Sequence, residues 1–253
     1  MTRGDRRLTA DGAPMTPPIE LATVRDVRVG RPRDLTDEQG RTWHSAFLKD
    51  PVAGPVTLGF GGLDGDEQAD PRVHGGPDKA VCVYPLRWLP GWERELGIGP
   101  LRCGAFGENL SVEGITEAEV CIGDIWEFGS AVVQVSQPRG PCWKLARRWG
   151  VKDLAVRLQR TGRTGWYLRV LQPGTVRGGR PVRLLDRPNP SWTVLRANRA
   201  KYGSDLGEKT ALAACRELGH SWRTQLTDSA AEPAAAISNS AHRLFGPPGA
   251  GDV

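Results

Sequence analysis

Short apolar segments separated by Gly, Pro and Asp turns run through the first two-thirds of the chain. Seven of them have the length and composition of β-strands: ATVRDVRVG, SAFLKD, VTLGF, KAVCVYP, ENLSV, VCIGDIWEFG and AVVQVSQ. Strands at this spacing are typical of an antiparallel barrel or sandwich. The pattern predicts one mainly β domain over residues 19–186.

Two pairs of strand-like segments lie close enough in sequence to form hairpins. IWEF and AVVQVSQ are joined by Gly129-Ser130, and GWYLRVL and GRPVRLLD flank the Pro173-Gly174 turn. Glycine and proline at such positions favour tight reversals of the chain. Each pair is therefore predicted to form a hairpin.

A helix is predicted to begin at Pro141, because proline suits the first helical position. It should end by Gly162. The apolar residues between these two positions recur near one helical face: Leu145, Trp149, Leu154 and Leu158.

The character of the chain changes after the last strand-like segment. Residues 191–228 contain three short helical patterns, each closed by Gly or capped by Ser, which predict a small three-helix appendage. Residues 1–18 and 229–253 are rich in Gly, Pro, Ala and Ser and have almost no core-forming pattern. Both ends are predicted to be disordered tails.

Charge is distributed unevenly along the chain, whose formal net charge is +5. Residues 60–136 carry 5 basic and 13 acidic side chains, whereas residues 137–201 carry 16 basic and 2 acidic ones. A block so basic favours an anionic partner such as phosphate, a pterin phosphate or nucleic acid. A solvated arginine-rich surface without any ligand explains the same composition equally well.

Bulk sequence features exclude several classes of protein. No run of about 18 apolar residues exists, and the first residues lack the apolar stretch of a signal peptide, so we expect a cytosolic protein without membrane contact. Five cysteines at irregular spacing, without a CxxC pair, predict free thiols. The chain has no P-loop, dinucleotide-binding, zincin or nucleophile-elbow motif.

The stretch SQPRGPCWKLARR, residues 136–148, is the strongest candidate for chemistry. Cys142 would lie in the first turn of the predicted helix, where unpaired backbone N–H groups and the helix dipole favour a thiolate. A thiolate binds a soft transition metal or attacks an electrophile. The alternative is a small buried apolar cysteine, which is how Cys82 and Cys121, in strand-like runs, are interpreted. Four cations add a positive field around Cys142: Arg139, Lys144, Arg147 and Arg148.

HGGPDK, residues 74–79, is a second candidate. His74 can donate a hydrogen bond or a proton, and Lys79 supplies charge. Gly75 and Gly76 let the backbone approach a ligand closely. The same sequence is also an ordinary turn with a surface histidine.

FGENL, residues 106–110, is a third candidate, because the amide of Asn109 can both donate to and accept from a heterocycle. Asparagine near glycine is equally a routine turn residue. We predict that His74 and Cys142 converge on one cleft whose wall carries Arg139 and Lys79. Loops that are rich in polar groups commonly meet where a binding site is built.

Taken in order, GDEQAD, RVHGGPDKAVCVYP, FGENL and GDIWEFGSAVVQVSQPRGPC resemble the YiiM-type MOSC domain, a family named for the C-terminal domain of molybdenum-cofactor sulfurases. The resemblance covers residues 40–186, and residues 191–228 are similar to the three-helix domain that follows MOSC in this type. It implies a closed β-barrel of the pyruvate-kinase barrel-like kind, with a molybdopterin-type cofactor in a basic cleft.

The resemblance also implies roles for individual residues. Cys142, in PRGPC, matches the residue that the family uses as metal ligand or sulfur acceptor, and a soft thiolate suits molybdenum. His74 becomes a candidate catalytic residue. The residues expected to hold the pterin, its phosphate or the substrate are Lys79, Asp78, Gly75, Gly76, Asn109, Arg139 and Lys144.

The activity that the resemblance implies is reduction of N-hydroxylated bases or amines, such as 6-hydroxylaminopurine, with electrons from a flavoprotein reductase. Pyridoxal phosphate binding and a role in detoxification are implied with it. Two alternatives stay open. One is a carrier module in which Cys142 passes on sulfur or cofactor without turnover. The other, ranked last, is a nucleic-acid-binding protein that uses residues 137–201.

Overall fold

A closed β-barrel forms the centre of the computed structural model, which describes residues 19–37, 39–231 and 240–246. The strands in that part of the chain are β1 (Ile19–Val29), β2 (Arg33–Thr36), β3 (Thr42–Ser45), β4 (Asp50–Pro51), β5 (Val56–Gly59), β6 (Gly62–Leu63), β7 (Val81–Pro85), β8 (Leu110–Glu113), β9 (Ile125–Phe128), β10 (Ala131–Pro138), β11 (Trp166–Gln172), β12 (Gly174–Val176) and β13 (Arg180–Asp186). The α-helices are α1 (Pro71–His74), α2 (Leu89–Leu96), α3 (Lys144–Trp149), α4 (Leu154–Thr161), α5 (Val194–Tyr202), α6 (Leu206–Ala213) and α7 (His220–Ala231), with 3₁₀ turns at Pro77–Lys79 and Leu86–Trp88.

Seven strands close the barrel in the order β1, β8, β7, β11, β10, β9 and β13. Neighbours are antiparallel except β7 and β8, and β13 pairs with β1 to complete the ring. The register of β1 shifts between Glu20 and Ala22, and again between Val24 and Asp26. Such bulges add the local bend and twist that closure requires. The expected mainly β fold, a closed barrel with a few helices, is confirmed.

One of the two predicted hairpins forms. β9 and β10 pair around Gly129-Ser130 as expected. The second prediction is wrong, because β11 pairs with β10 and β7 whereas β13 pairs with β9 and β1. Between β11 and β13 the chain contributes β12 to a separate three-stranded sheet with β5 and β6. Proline and glycine therefore mark a transfer between sheets here rather than a tight hairpin.

Alternating residues of the barrel strands pack into two apolar clusters, one inside the barrel and one outside it. Val83 of β7 and Trp166 of β11 face the barrel interior, where Trp126 meets Trp166 edge to face with ring centroids 6.0 Å apart. Tyr84, one residue further along β7, faces outwards into a second cluster with α2, α3 and α4. Burying each such side chain contributes about 1.5–3 kcal/mol. The outer face of β7 is thus covered at Tyr84 by a second layer.

The helix predicted between Pro141 and Gly162 is divided into α3 and α4. Trp143 is the N-cap of α3, and Gly150 ends it with a left-handed φ of 66°. Cys142 consequently lies before the helix and not in its first turn, which corrects the expected position. The predicted apolar face is nevertheless present, since three of its four residues are fully buried: Leu145, Leu154 and Leu158.

α5, α6 and α7 form the predicted three-helix appendage. It is joined to the barrel where Gly219 N donates to Ser136 O at 2.8 Å and His220 N donates to the Asp78 carboxylate at 2.7 Å. A Cβ at Gly219 would come within 2.3 Å of Gln137 Oε1, so glycine permits this close approach.

The C-terminal tail predicted from residue 229 needs correction in two described parts. Residues 229–231 complete α7, and residues 240–245 are helical, with Leu244 buried. No helix in the described ranges is long and apolar enough to cross a membrane. The remainder of the two predicted tails lies outside the described residues: 1–18, 232–239 and 247–253.

Candidate functional site

A polar cleft lies on the outer face of β7 and β11. Cys82 and Tyr167 are direct cross-strand partners, so their side chains share one face of the sheet. Their neighbours Val83 and Trp166 point into the barrel. Both Cys82 and Tyr167 line the cleft, which encloses about 570 Å³ of space continuous with solvent. The site is therefore built on a strand face and closed by loops.

The structure brings most of the predicted site residues to this cleft. The predicted convergence of His74 and Cys142 beside Arg139 and Lys79 is met in the geometry, while the roles of these residues stay predictions. Three predicted residues do not line the cleft: Gly75, Gly76 and Asp78. Those that do are His74, Lys79, Asn109, Arg139, Cys142 and Lys144.

Arg139 follows the end of β10, and its backbone N donates to Gly165 O at 3.0 Å. Its side chain is buried, and within the described residues Nη1 has no hydrogen-bond partner. Burial by itself lowers the pKa of Arg139, but the adjacent ionisable groups of Cys82 and Tyr167 raise it above its ordinary value. The guanidinium is therefore a buried positive charge with an unsatisfied donor, which favours an anion in the cleft.

His74 ends the one-turn helix α1 at the edge of the cleft. Burial lowers its pKa to about 4, and the positive charges of Lys144 and Arg139 contribute to the same shift. The imidazole is thus neutral at pH 7. A neutral ring can donate a hydrogen bond from one nitrogen and accept one at the other.

Cys142 lies in the loop between β10 and α3 and is 7% exposed. Its carbonyl accepts a hydrogen bond from Leu145 N at 3.1 Å, which joins the loop to α3. α3 is anchored in turn by Arg147, whose Nη1 lies 2.9 Å from the buried carboxylate of Asp37. The thiol therefore sits on a fixed backbone at the cleft wall.

Two other lysines of the cleft differ in their partners: Lys49 is paired with a carboxylate, and Lys79 with a backbone carbonyl. Lys49 forms a buried ion pair with Asp66, which also accepts from Gly30 N at 2.8 Å. Lys79 Nζ donates to Val73 O at 2.7 Å, and burial lowers the pKa of this lysine. Asp66 is therefore already paired with Lys49, and the carboxylate whose charge acts on Arg139 is that of Glu108.

Asp78 and Asn109, both expected to contact a ligand, have hydrogen-bond partners within the protein. Asp78 caps the start of α7 and forms an ion pair with Arg169 at 2.8 Å. Asn109 Oδ1 accepts from Cys82 N at 3.0 Å, and Nδ2 donates to Arg28 O at 3.1 Å. Asp78 lies outside the cleft lining, whereas Asn109 lines the cleft with an amide already engaged by the main chain. A contact of either residue with a pterin stays a prediction.

Gly75 and Gly76 shape the turn between His74 and Lys79. Gly75 N donates to Pro71 O at 2.9 Å and ends α1. Gly76 caps the following 3₁₀ turn with a φ of 98°, a conformation that glycine adopts without strain. The turn that they form brings His74 and Lys79 to the same cleft.

Sequence reasoning missed several residues of the cleft wall. Cys82 was predicted to be core, yet the alternation of KAVCVYP already places it opposite Val81 and Val83. Asp66 belongs to GDEQAD, which carried the family resemblance, but its pairing with Lys49 gave no local signal. Tyr167 requires the β7–β11 register, which the sequence does not reveal.

Comparison with known proteins identifies the family. A family model described as MOSC domain matches residues 70–183. The uncharacterized protein YflK of Bacillus subtilis is 44% identical over 207 residues, which cover 81% of this chain and 92% of that protein. The chain belongs to the MOSC domain family. The crystal structure of YiiM from Geobacillus stearothermophilus has a TM-score of 0.69 at 35% identity and covers 82% of this chain and 98% of that one. This MOSC protein is therefore of the YiiM type.

A protein of Gibberella moniliformis named Reductase is 37% identical to this MOSC protein over 211 residues, which are 82% of this chain and 36% of that protein. Its name indicates oxidoreductase chemistry in a much longer relative. The region matched by the MOSC model includes most of the cleft, from His74 to Tyr167. The lining residues between 45 and 69, among them Lys49 and Asp66, lie outside that region and are added by the preceding chain.

Proposed function

We propose that this MOSC protein is an oxidoreductase that binds a molybdenum-pterin cofactor in the cleft and reduces N-hydroxylated bases or amines. Electrons would come from a flavoprotein reductase. The observation that carries the proposal is Arg139, a buried guanidinium in the same cleft wall as Cys142, whose Nη1 has no hydrogen-bond partner among the residues that the structure describes. A buried cation of this kind fits an anionic ligand, such as the phosphate of a pterin cofactor.

The donor set of the cleft also suits this cofactor. A thiolate at Cys142 is a soft ligand appropriate to molybdenum. Within the described ranges, no group of three or more His, Cys, Asp or Glu side chains is arranged to hold a metal ion. The remaining ligands would therefore have to come from the cofactor itself, as they do from a pterin dithiolene.

The proposal gives a role to each of five residues that line the cleft. Cys142 holds the metal, while Arg139 and Lys144, with Lys79, bind the phosphate. When bound, the cofactor supplies the two-electron chemistry. The reaction R–NHOH + 2e⁻ + 2H⁺ → R–NH₂ + H₂O breaks the N–O bond and releases water. His74, neutral at pH 7, orients the hydroxylamine by hydrogen bonding.

The experiment is an assay of 6-hydroxylaminopurine reduction with a chemically reduced viologen as electron donor, on protein expressed with molybdate. We expect turnover in the wild type and its loss in Cys142→Ser, since a hydroxyl is a hard ligand. Cys121→Ser is the matched control, because Cys121 is buried but does not line the cleft. Its turnover per folded molecule should match the wild type.

Other outcomes decide against the reductase. Wild-type protein that holds molybdenum but never turns over would support the carrier module. Full turnover in Cys142→Ser would remove Cys142 from the mechanism. Pyridoxal phosphate binding, detoxification and a cytosolic location stay predictions.

A further inference from the structure

The C-terminal segment 240–246 contacts the loop that carries Cys142, although the sequence pattern gives it no function. Arg243 of this segment makes the contact through its main chain and its side chain. Arg243 O accepts a hydrogen bond from Trp143 N at 2.9 Å, and Arg243 Nη1 donates to Pro141 O. Leu244 beside it is buried, which fixes the segment against the domain.

These two hydrogen bonds involve both peptide groups that flank Cys142. Pro141 O belongs to the peptide bond before Cys142, and Trp143 N belongs to the peptide bond after it. Holding both groups fixes the backbone dihedral angles of Cys142, and the direction of a cysteine side chain depends on those angles. One residue, distant in sequence, thus restrains the backbone from which the thiol projects.

The guanidinium of Arg243 is itself held by two other elements. Nη2 donates to Gln159 Oε1 of α4 at 2.6 Å, and the guanidinium carbon lies 5.6 Å from the ring centroid of Tyr202 in α5. Because Gln159 holds Nη2 and the guanidinium stacks on Tyr202, the side chain loses little further freedom when Nη1 binds the carbonyl of Pro141. The Cys142 loop is thereby connected to the three-helix appendage.

We propose that Arg243 is a positioning residue, which holds the Cys142 loop in the geometry that the metal ligand needs. The C-terminal segment and the helical appendage are then parts of the site and not accessories to the barrel. This inference rests on the proposed function only in taking Cys142 as the metal ligand. Its physical content, a restrained thiol, is measurable in protein without any cofactor.

The test is the rate of alkylation of each cysteine by iodoacetamide in cofactor-free protein, followed by peptide mass spectrometry. Cys142 is 7% exposed, so its alkylation requires opening of the loop. Arg243→Ala should accelerate alkylation of Cys142 about tenfold, a change equivalent to about 1.4 kcal/mol in the opening equilibrium. Gln159→Ala, which releases the other end of the fork, should accelerate it less.

Two sets of controls separate local positioning from general stability. The exposed neighbour His242 provides the matched variant His242→Ala, which should leave all rates unchanged. Cys121 and Cys215 are buried outside the cleft and should keep their rates in Arg243→Ala. If Arg243→Ala does not fold, Arg243→Lys keeps the charge without the fork and should give an intermediate rate.

A Cys142 rate within twofold of the wild type, in Arg243→Ala or in Arg243→Lys when the former does not fold, would overturn the inference. Parallel acceleration of Cys121 and Cys215 would overturn it too, since it indicates global loosening. No molybdenum enters this assay. Failure of the reductase proposal therefore leaves a selective acceleration intact, and failure of the positioning proposal leaves the reductase assay interpretable.

Discussion

Arg139 shows how one residue can oppose stability and serve binding. Its guanidinium is buried, and Nη1 has no partner within the described residues. Removing a charged group from water without full compensation costs free energy, and replacing it by an apolar side chain of similar size is often neutral or stabilising. An anion in the cleft would supply the missing compensation.

We therefore predict that Arg139→Met raises the free energy of unfolding of the cofactor-free protein by about 1 kcal/mol while it reduces retention of the cofactor. Urea denaturation measures the first effect. The control is Arg147→Met, which should lower stability because it leaves the buried carboxylate of Asp37 without this partner. A clear loss of stability in Arg139→Met would mean that the guanidinium is structurally satisfied.

His74 gives a prediction about pH. Its pKa is about 4 in the folded protein, against an ordinary value of 6.5. Between these values the unfolded chain takes up a proton that the folded chain does not, so the stability linked to His74 is present above pH 6.5 and is lost as the pH falls towards 4. The loss should be on the order of 2 kcal/mol for this partly exposed ring.

Comparison of the wild type with His74→Gln isolates this effect, because glutamine keeps hydrogen-bonding capacity without titrating. The comparison of the two proteins is needed because Glu117 also titrates. Burial raises its pKa from 4.5 to about 7, so the stability linked to Glu117 is lost as the pH rises towards 7. Denaturation curves at pH 7 and pH 5 should show the smaller acid loss in His74→Gln. Equal losses in both proteins would contradict the low pKa of His74.

At the scale of elements, Asp78 joins the barrel to the appendage. Its carboxylate accepts from the first backbone N–H of α7 and forms an ion pair with Arg169 of β11. A negative charge at a helix N-terminus satisfies an unpaired donor and interacts favourably with the helix dipole. The contact is therefore structural, although the residue lies in the HGGPDK stretch.

Asp78→Ala should lower the free energy of unfolding by about 2 kcal/mol, through loss of the cap and of a partner for Arg169. Asp153→Ala is the matched control, since Asp153 precedes α4 but makes no capping hydrogen bond and pairs only on the surface. Its effect should stay within about 0.5 kcal/mol. If Asp78→Ala kept full stability but lost the cofactor, the predicted ligand contact of Asp78 would be supported and its structural role would not.

The sequence predicts these elements unevenly, for reasons that are physical. Most strands and the β9–β10 hairpin follow from alternation and turn residues, which are local, but the predicted strand SAFLKD is extended only at Ser45 and Asp50. The sheet transfer after β11 depends on tertiary packing that local patterns do not encode. Gly150, in contrast, is a local helix-end signal that the prediction of one helix to Gly162 did not use. Cys142 and His74 were found because their residue types carry chemistry, whereas Tyr167 was missed because only the strand register places it.

At the scale of the whole molecule, the uneven charge along the chain is resolved by folding. Arginines of the basic segment 137–201 pair with carboxylates of the acidic segment 60–136, as in Arg163–Glu95 at 2.7 Å and Arg187–Asp124 at 2.7 Å. Arg169–Asp78 and Arg183–Glu127 follow the same pattern. A continuous basic surface of the kind that binds nucleic acid is thereby reduced. Arg139, inside the cleft, is a buried cation of this segment whose Nη1 has no hydrogen-bond partner within the described residues.

The most direct test of the central claim is the molybdenum content of the purified protein, measured by elemental analysis after expression with molybdate. The account predicts about one molybdenum per chain in the wild type and a large loss in Cys142→Ser, with Cys121→Ser equal to the wild type. Wild-type protein that is folded but free of molybdenum, or Cys142→Ser with wild-type content, would contradict it.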